Sequence, residues 1–321
     1  MITFVELAER IEQLEKRVQI LESQISGDSP NQKKANNDLN QFNLTESNIE
    51  ENIDVFDNSY FYDTDFSKND LPDNSVDDFT FCEVFGGIEV SSYNGFADND
   101  TIIVPRLFYN QSVVSIGEAA FEGVSAKVIY LPDSIINIKA KACRNCKNLK
   151  YIKLQEGLNE IGESAFDYCE SMNKVDLPKS ITKLGRCCFS RSAIEQIVLP
   201  PKLEIVPVAC FERCKELSEV SMSEGILNIE SYAFSETAIK NIIIPASVKN
   251  IKNKALDFSS KNKVDIVFLG METVVECSSS SSWWNGICMA EPTIYCKAGS
   301  ALQKIARKCG CVVKPLSEFQ E

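Results

Sequence analysis

IGESAFDYCESMNKVDLPKS, residues 161–180, carries one Gly, one Phe, one Cys and one Pro among small, apolar and charged residues. It is too irregular for a long helix and too broken for a long strand, and a close variant of it returns one period later. Aligning the Ile-Gly position gives Ile116, Ile138, Ile161, Leu184, Val206, Ile229 and Ile251, with steps of 22, 23, 23, 22, 23 and 22. Four residues on stand Ala120, Ala142, Ala165, Cys188, Cys210, Ala233 and Ala255. The next position holds Phe121, Cys143, Phe166, Phe189, Phe211, Phe234 and Leu256. A further row runs Leu131, Leu154, Leu177, Leu199, Met222 and Ile244. Several separate positions keep phase through seven copies, which is the mark of a repeat architecture.

A unit of this length cannot bury a core alone, so stacked units share one, each covering its neighbour's apolar edge. In NKVDLP the apolar residues alternate with polar ones, which predicts a short strand with one face buried. Pro178 ends it, having no N–H for a ladder. IGESAF predicts a tight turn at Gly162 leading into a single helical or 3₁₀ turn, with Ala165 at a close backbone approach and Phe166 in the core. The segment is one coil of a solenoid.

These residues resemble the BspA-type leucine-rich repeat, which reads Ile-Gly-x-x-Ala-Phe-x-x-Cys and then Leu-x-x-Val-x-Leu-Pro. GIEVSSYNG…TIIVPRLFYNQSVVSIGEAAF is similar to that family's opening hairpin and first repeat, and TIYCKAGSALQKIARKCGCVVKPL to its closing strand and helix. The resemblance covers residues 79 to 316, with Cys143 at a Phe position, Pro207 at a Gly position and a serine run near the end. It implies a strand-dominated α/β leucine-rich-repeat solenoid of 22–23-residue repeats. It also implies an interaction role, and many family members are surface proteins.

The cysteines number 13, an odd count. Cys146, Cys169 and Cys214 share one repeat position with Val124, Ser192 and Thr237, so pairing is not required there. The expectation is a small buried side chain whose S–H or O–H meets a loop carbonyl. The CxxC of Cys143 and Cys146 falls at in-phase core positions without a second CxxC, so no metal is assigned. Cys309 and Cys311 are less constrained. Many unpaired thiols suit a reducing compartment.

The chain of 321 residues has a net charge of −13, unevenly placed. Residues 27–78 hold 13 Asp or Glu against three Lys, whereas residues 79–321 come out near −1. The folded part lacks the basic stripe of a nucleic-acid binder. There is no histidine, which removes the commonest general base, and no phosphate-cradling glycine loop. The expectation is a non-catalytic protein without cofactor or metal; a hydrolase in the C-terminal region is the reading an activity panel would test. No signal-peptide pattern or membrane-length apolar run is present. The expected location is therefore cytoplasmic, with the cell surface as alternative.

Phe4, Leu7, Ile11, Leu14, Val18, Leu21 and Ile25 are spaced 3, 4, 3, 4, 3, 4, as are the a and d positions of a heptad. β-Branched a residues with Leu at d favour a parallel dimer, and Arg10 and Arg17 at g reach Glu15 and Glu22 at the partner's following e. RIEQLE and RVQILE also resemble a motif of three-stranded coils, so dimer and trimer both stand. So does a helix folded back on its own solenoid. The expected organisation is a coiled-coil helix over 1–26, an acidic, disordered linker over 27–78, capping strands over 79–115, repeats over 116–270 and a C-terminal cap over 271–321. Within the linker, IDVFDNSYFYDTDF (53–66) interleaves acidic and aromatic residues. It reads either as a docking peptide or as aromatics that pack on the open end of the solenoid or simply float.

Strand alternation places a candidate partner-binding face. Ile152 and Leu154 point inward, so Tyr151 and Lys153 point outward. The equivalent outward pairs are Val128 and Tyr130, Lys174 and Asp176, Gln196 and Val198, Glu219 and Ser221, and Asn241 and Ile243. They are expected to tile one continuous surface, the inner curve that solenoids use for binding. An ordinary solvated strand face is the competing reading.

Overall fold

The computed structural model describes residues 76–95, 100–258, 264–275, 292–308 and 311–319. The chain divides into two units, residues 1–64 and 65–321, and all described residues belong to the second. The heptad residues 4–25, the segment 53–66 and Cys309 lie outside the described residues.

Each coil has three sides. The first is the expected strand, as in Val128–Tyr130, Tyr151–Ile152, Gln196–Val198 and Asn241–Ile244. After it the chain turns at a corner, often a proline, where hydroxyls hold the coils together. Ser134 Oγ donates to Val113 O at 2.6 Å, Ser180 Oγ to Leu158 O at 2.7 Å and Ser247 Oγ to Ile226 O at 2.8 Å. Glu224 accepts the Ala246 and Ser247 N–H groups at 3.0 and 2.9 Å, and the first of these contacts contributes most to lowering its carboxyl pKa.

The second side is a ladder of two-residue parallel strands ending on the repeat Ile: Asn137–Ile138, Glu160–Ile161, Lys183–Leu184, Ile205–Val206, Asn228–Ile229 and Asn250–Ile251. The sequence pattern alone does not separate this ladder from the turn after it. Gly162 follows it because neighbouring backbones come close: a Cβ there would meet Ala140 N at 2.5 Å.

The third side corrects the expected helical turn. Ser164 to Cys169 contain no helix; the backbone runs through successive β-turns. Within a coil, Ala165 N–H donates to Gly162 O, Asp167 N–H to Ser164 O and Cys169 N–H to Phe166 O. The alternate groups leave the coil, with Ser164, Phe166 and Tyr168 donating to Arg186, Cys188 and Ser190 O at 2.8–2.9 Å. This alternation needs left-handed backbone at two places per coil. Ser164, Cys187, Ala209 and Tyr232 sit at φ 54–62°, and Tyr168, Arg191, Arg213 and Glu236 at φ 58–62°. A helix would use all these N–H groups internally and leave adjacent coils unjoined, so the inter-coil ladder wins over the local helix.

The core lies inside this three-sided stack. Phe121, Phe166, Phe189, Phe211 and Phe234 are fully buried, as are the in-phase residues Ile161, Ala165, Val206 and Ile229. The Phe rows of adjacent coils stack with centroids 5.4–5.7 Å apart and planes within 6°, close to the strand spacing that separates coils. The cysteines behave as expected. Cys146, Cys169 and Cys214 donate S–H to Phe121, Cys143 and Phe189 O, in the preceding coil, at 3.0, 3.2 and 3.1 Å. Burial pushes the Cys188 and Cys210 thiols well above the usual range. They therefore remain protonated.

Both ends are closed. Phe79–Val84 and Gly87–Tyr93 form an antiparallel hairpin whose second strand pairs in parallel with Gln111–Ile116. Glu89, buried there, accepts from Ser115 Oγ at 2.8 Å and pairs with Lys139 at 2.7 Å, pinning the hairpin to the first coils. At the other end Ala301–Lys308 is helical; Ser300 Oγ caps it by accepting the Gln303 N–H at 3.2 Å, as capping side chains do.

Candidate interaction surface

The first side of the coils exposes most of the residues that alternation selected. Ile129, Ile152, Ile197 and Ile242 point inward and are buried. Parallel register sets Val128 beside Tyr151 and Gln196 beside Glu219. Tyr151, Val198 and Ile243 are exposed apolar residues at 39%, 68% and 36%. Lys174, Asp176, Gln196, Glu219, Ser221 and Asn241 are also exposed, while Val128, Tyr130 and Lys153 are half-buried.

The surface is not one continuous sheet: it breaks at residues 174–176 and again between Glu219–Ser221 and Asn241–Ile244. Lys174 to Asp176 form no strand, although Val175 is buried as the pattern requires. The ladder consists of Thr101–Ile103, Val128–Tyr130 and Tyr151–Ile152, then Gln196–Val198 with Glu219–Ser221, then the sheet that begins at Asn241–Ile244. Lys174 and Asp176 still point outward, where they pair with each other at 3.3 Å. Inward packing of Val175 holds the segment in phase without ladder bonds.

The structure also sets a boundary that alternation alone does not give. Register carries Ile243 to Val267 and then to Tyr295. Both of these outward positions are buried. Phe319 packs edge-on against Tyr295 at 5.1 Å, and Lys314 lies over the Tyr295 ring at 5.8 Å. The open face therefore runs from Val128 to Ile243. The sequence signal for its end is the Tyr of TIYC followed by the aromatic of LSEF.

The other two sides differ in kind. Along the turn side, charges pair between coils: Lys141 with Glu118 at 3.5 Å, Arg144 with Glu122 at 3.4 Å, and Arg213 with Glu236 at 3.2 Å. Such exposed pairs are each worth ~0.2–1 kcal/mol. Asp167 is more deeply set, pairing with Arg191 at 3.3 Å, and that guanidinium lies 4.5 Å from the Tyr168 ring centroid. On the second side, Asn250 Nδ2 donates to Asn228 Oδ1 at 2.8 Å and Thr182 Oγ1 to Asn159 Oδ1 at 2.9 Å. These sides spend their polar groups on joining coils. The strand side carries exposed Tyr151, Val198 and Ile243 among polar groups, and the second side carries exposed Ile205 and Val274.

Among the described residues no helix is long and apolar enough to cross a membrane.

Known proteins share this architecture. A leucine rich cell surface protein of Faecalibacterium prausnitzii is 21% identical with a TM-score of 0.53, covering 64% of this chain and 56% of that one. This chain thus spans little more than half of that protein. A leucine rich repeat protein of T. pallidum is 22% identical with a TM-score of 0.50, covering 76% of this chain and 98% of its own. A leucine-rich repeat protein of Bacteroides ovatus is 20% identical with a TM-score of 0.47, covering 78% of each chain. At these identities the likeness is one of fold. No curated protein sequence matches the chain. The model of the BspA type leucine rich repeat region matches residues 99–171 and 136–264 in six copies, more than half of the 321 residues. With its repeat rows, inter-coil ladders and this match, the chain belongs to the BspA-type leucine-rich-repeat family.

Proposed function

We propose that this protein is a non-catalytic interaction scaffold that binds a partner protein through the strand side of its solenoid. The observation that carries the reading is the row of exposed Tyr151, Val198 and Ile243 on a side whose backbone is already fixed by ladders. Aromatic and aliphatic anchors ringed by polar groups are what a protein-binding surface needs, and the rigid ladder keeps the ordering cost of binding low. Residues 4–25 multimerise the scaffold as a parallel coiled coil, on the support of their heptad spacing. A reducing compartment such as the cytoplasm suits it, because Cys146, Cys169 and Cys214 use their thiols as donors to carbonyls, a role that a disulfide would remove. The test is the double variant Tyr151→Ala with Lys153→Ala. Thermal melts should stay near wild type, and partner recovery from the native cell should fall. Undiminished recovery would contradict the reading.

A second reading sets the same face on the cell surface, binding a host or matrix protein or glycan. The F. prausnitzii protein of similar fold is described as a cell surface protein. Fractionation of the native cell separates the two: a surface-exposed, protease-accessible solenoid favours the second.

A further inference from the structure

The second-side ladder begins at Phe79–Val84, the outer strand of the N-terminal hairpin. Its inner edge pairs with Gly87–Tyr93, and among the described residues no strand lies along its outer edge. An unpaired edge offers main-chain N–H and C=O groups to any extended chain, and proteins guard against this with short strands, Lys or Pro. The other described edges at the ends of the stack are guarded in these ways. Val312–Pro315 carries Lys314 and Pro315, while Thr101–Ile103 and Val274–Val275 have three and two residues. Phe79–Val84 has six residues with neither Lys nor Pro. A bulge between Thr80 and Phe81 interrupts its pairing, after which Phe81–Val84 run in regular register.

The side chains beside this edge are suited to a partner as well. Strand alternation sets Phe81 and Glu83 on one face. Phe81 stacks on Phe108 with centroids 4.1 Å apart, and Phe108 meets the exposed Tyr109 at 4.5 Å. Phe85, at the hairpin tip, is fully exposed. Glu83 is exposed, and among the described residues no cation pairs with it.

We propose that this edge takes an extended segment of a partner protein as an added strand, one whose ring-facing side carries apolar side chains and a lysine. Main-chain hydrogen bonds to the edge supply affinity, and the alternate side chains supply choice. The segment's apolar groups lie against Phe81 and Tyr109, and its lysine stands opposite Glu83 as an opposite-charge cross-strand pair. The site is at the end of the stack and is independent of the strand-side reading above.

The test uses the full-length chain and a labelled synthetic peptide in which Thr alternates with Val and one central Val is replaced by Lys, read by fluorescence anisotropy. Two further peptides carry N-methyl groups on one or the other alternate set of backbone amides. At least one of these should fail to bind, because its donors no longer reach the edge. Glu83→Lys should weaken binding of the Lys peptide about fivefold and favour the same peptide with Glu in place of Lys. Phe85→Ser, which removes a ring outside the core, should weaken binding about tenfold. Unchanged binding in both variants would place the peptide elsewhere and overturn the inference, as would equal binding by all three peptides. Val198→Glu with Ile243→Glu should bind as wild type does. Loss in that variant alone would overturn this inference while keeping the strand side as the binding face. Absence of peptide binding up to about 1 mM overturns the partner strand. If the light-scattering mass of the full chain then also falls in Thr80→Lys with Cys82→Lys, the edge belongs to a second copy of this chain.

Discussion

The rings of Phe189 and Phe211 lie 5.7 Å apart with their planes within 6° of parallel. Phe189 also stacks on Phe166, and Phe211 on Phe234. The row stops at Cys143, where a small thiol stands between the Phe121 and Phe166 coils. Phe189 therefore has two ring neighbours, and Phe166 stacks on one. Either change to Ala should cost ~3–5 kcal/mol, as for a large buried aromatic. Phe189→Ala should cost more, by about one ring pair, ~0.5–1.5 kcal/mol. Urea denaturation of the two variants decides this; an unchanged midpoint for Phe166→Ala would show the repeat register to be wrong.

The left-handed positions make a prediction of opposite sign. Ser164 sits at φ 54° with its side chain half-exposed. A residue with a Cβ is strained there, by about 1–2 kcal/mol, and a β-branched one more so. Ser164→Gly should leave stability unchanged or raise it by up to ~1 kcal/mol, and Ser164→Val should lower it by more than ~1 kcal/mol. A chain that tolerates Val and Gly equally would not have this turn ladder.

Asp167 gives the fold a pH dependence. Burial raises its carboxyl above the ordinary range, against the lowering effects of Ser190 and Arg191. The native state then binds this proton more tightly than the unfolded chain does. The associated stability is fully present below the unfolded Asp range and is lost as pH rises through the raised native value. In Asp167→Asn this contribution vanishes. Wild type should therefore gain stability relative to the variant as pH falls from about 7 toward about 4. Denaturant midpoints of both chains across that interval test it, and a gap that narrows or stays constant would count against it.

Assembly is tested by mass. The full chain should be a parallel oligomer held through residues 4 to 25. A chain beginning at Gly27 should be a folded monomer. Light scattering that returns the same subunit number for both would remove the coiled coil.

Much of the fold was legible because periodicity reports burial directly. Ile161, Ala165 and Phe166 are buried where their rows place them, and Cys169 donates to a carbonyl as a residue interchangeable with Ser and Thr should. The turn side was misread as helical because its ladder consists of backbone bonds. Ser164, Cys187 and Tyr232 share a left-handed φ but no side-chain chemistry, so no residue pattern announces it. The exposed face was located by alternation, which is local. Its end at Tyr295 was not, since that depends on Phe319 returning from further along the chain. At Lys174–Asp176 alternation gave the correct facing without a strand, because Val175 obeys the core while its backbone does not join the ladder.

The central claim is that the strand side, and not the other two, meets the partner. One exposed apolar residue from each side serves for comparison: Val198 on the strand side at 68%, Ile205 on the second side at 45% and Tyr232 on the turn side at 36%. A photo-crosslinking amino acid placed singly at these positions, followed by irradiation in the native cell, should give a discrete heavier adduct from Val198 alone. The same adduct from Ile205 or Tyr232, with none from Val198, would contradict the account.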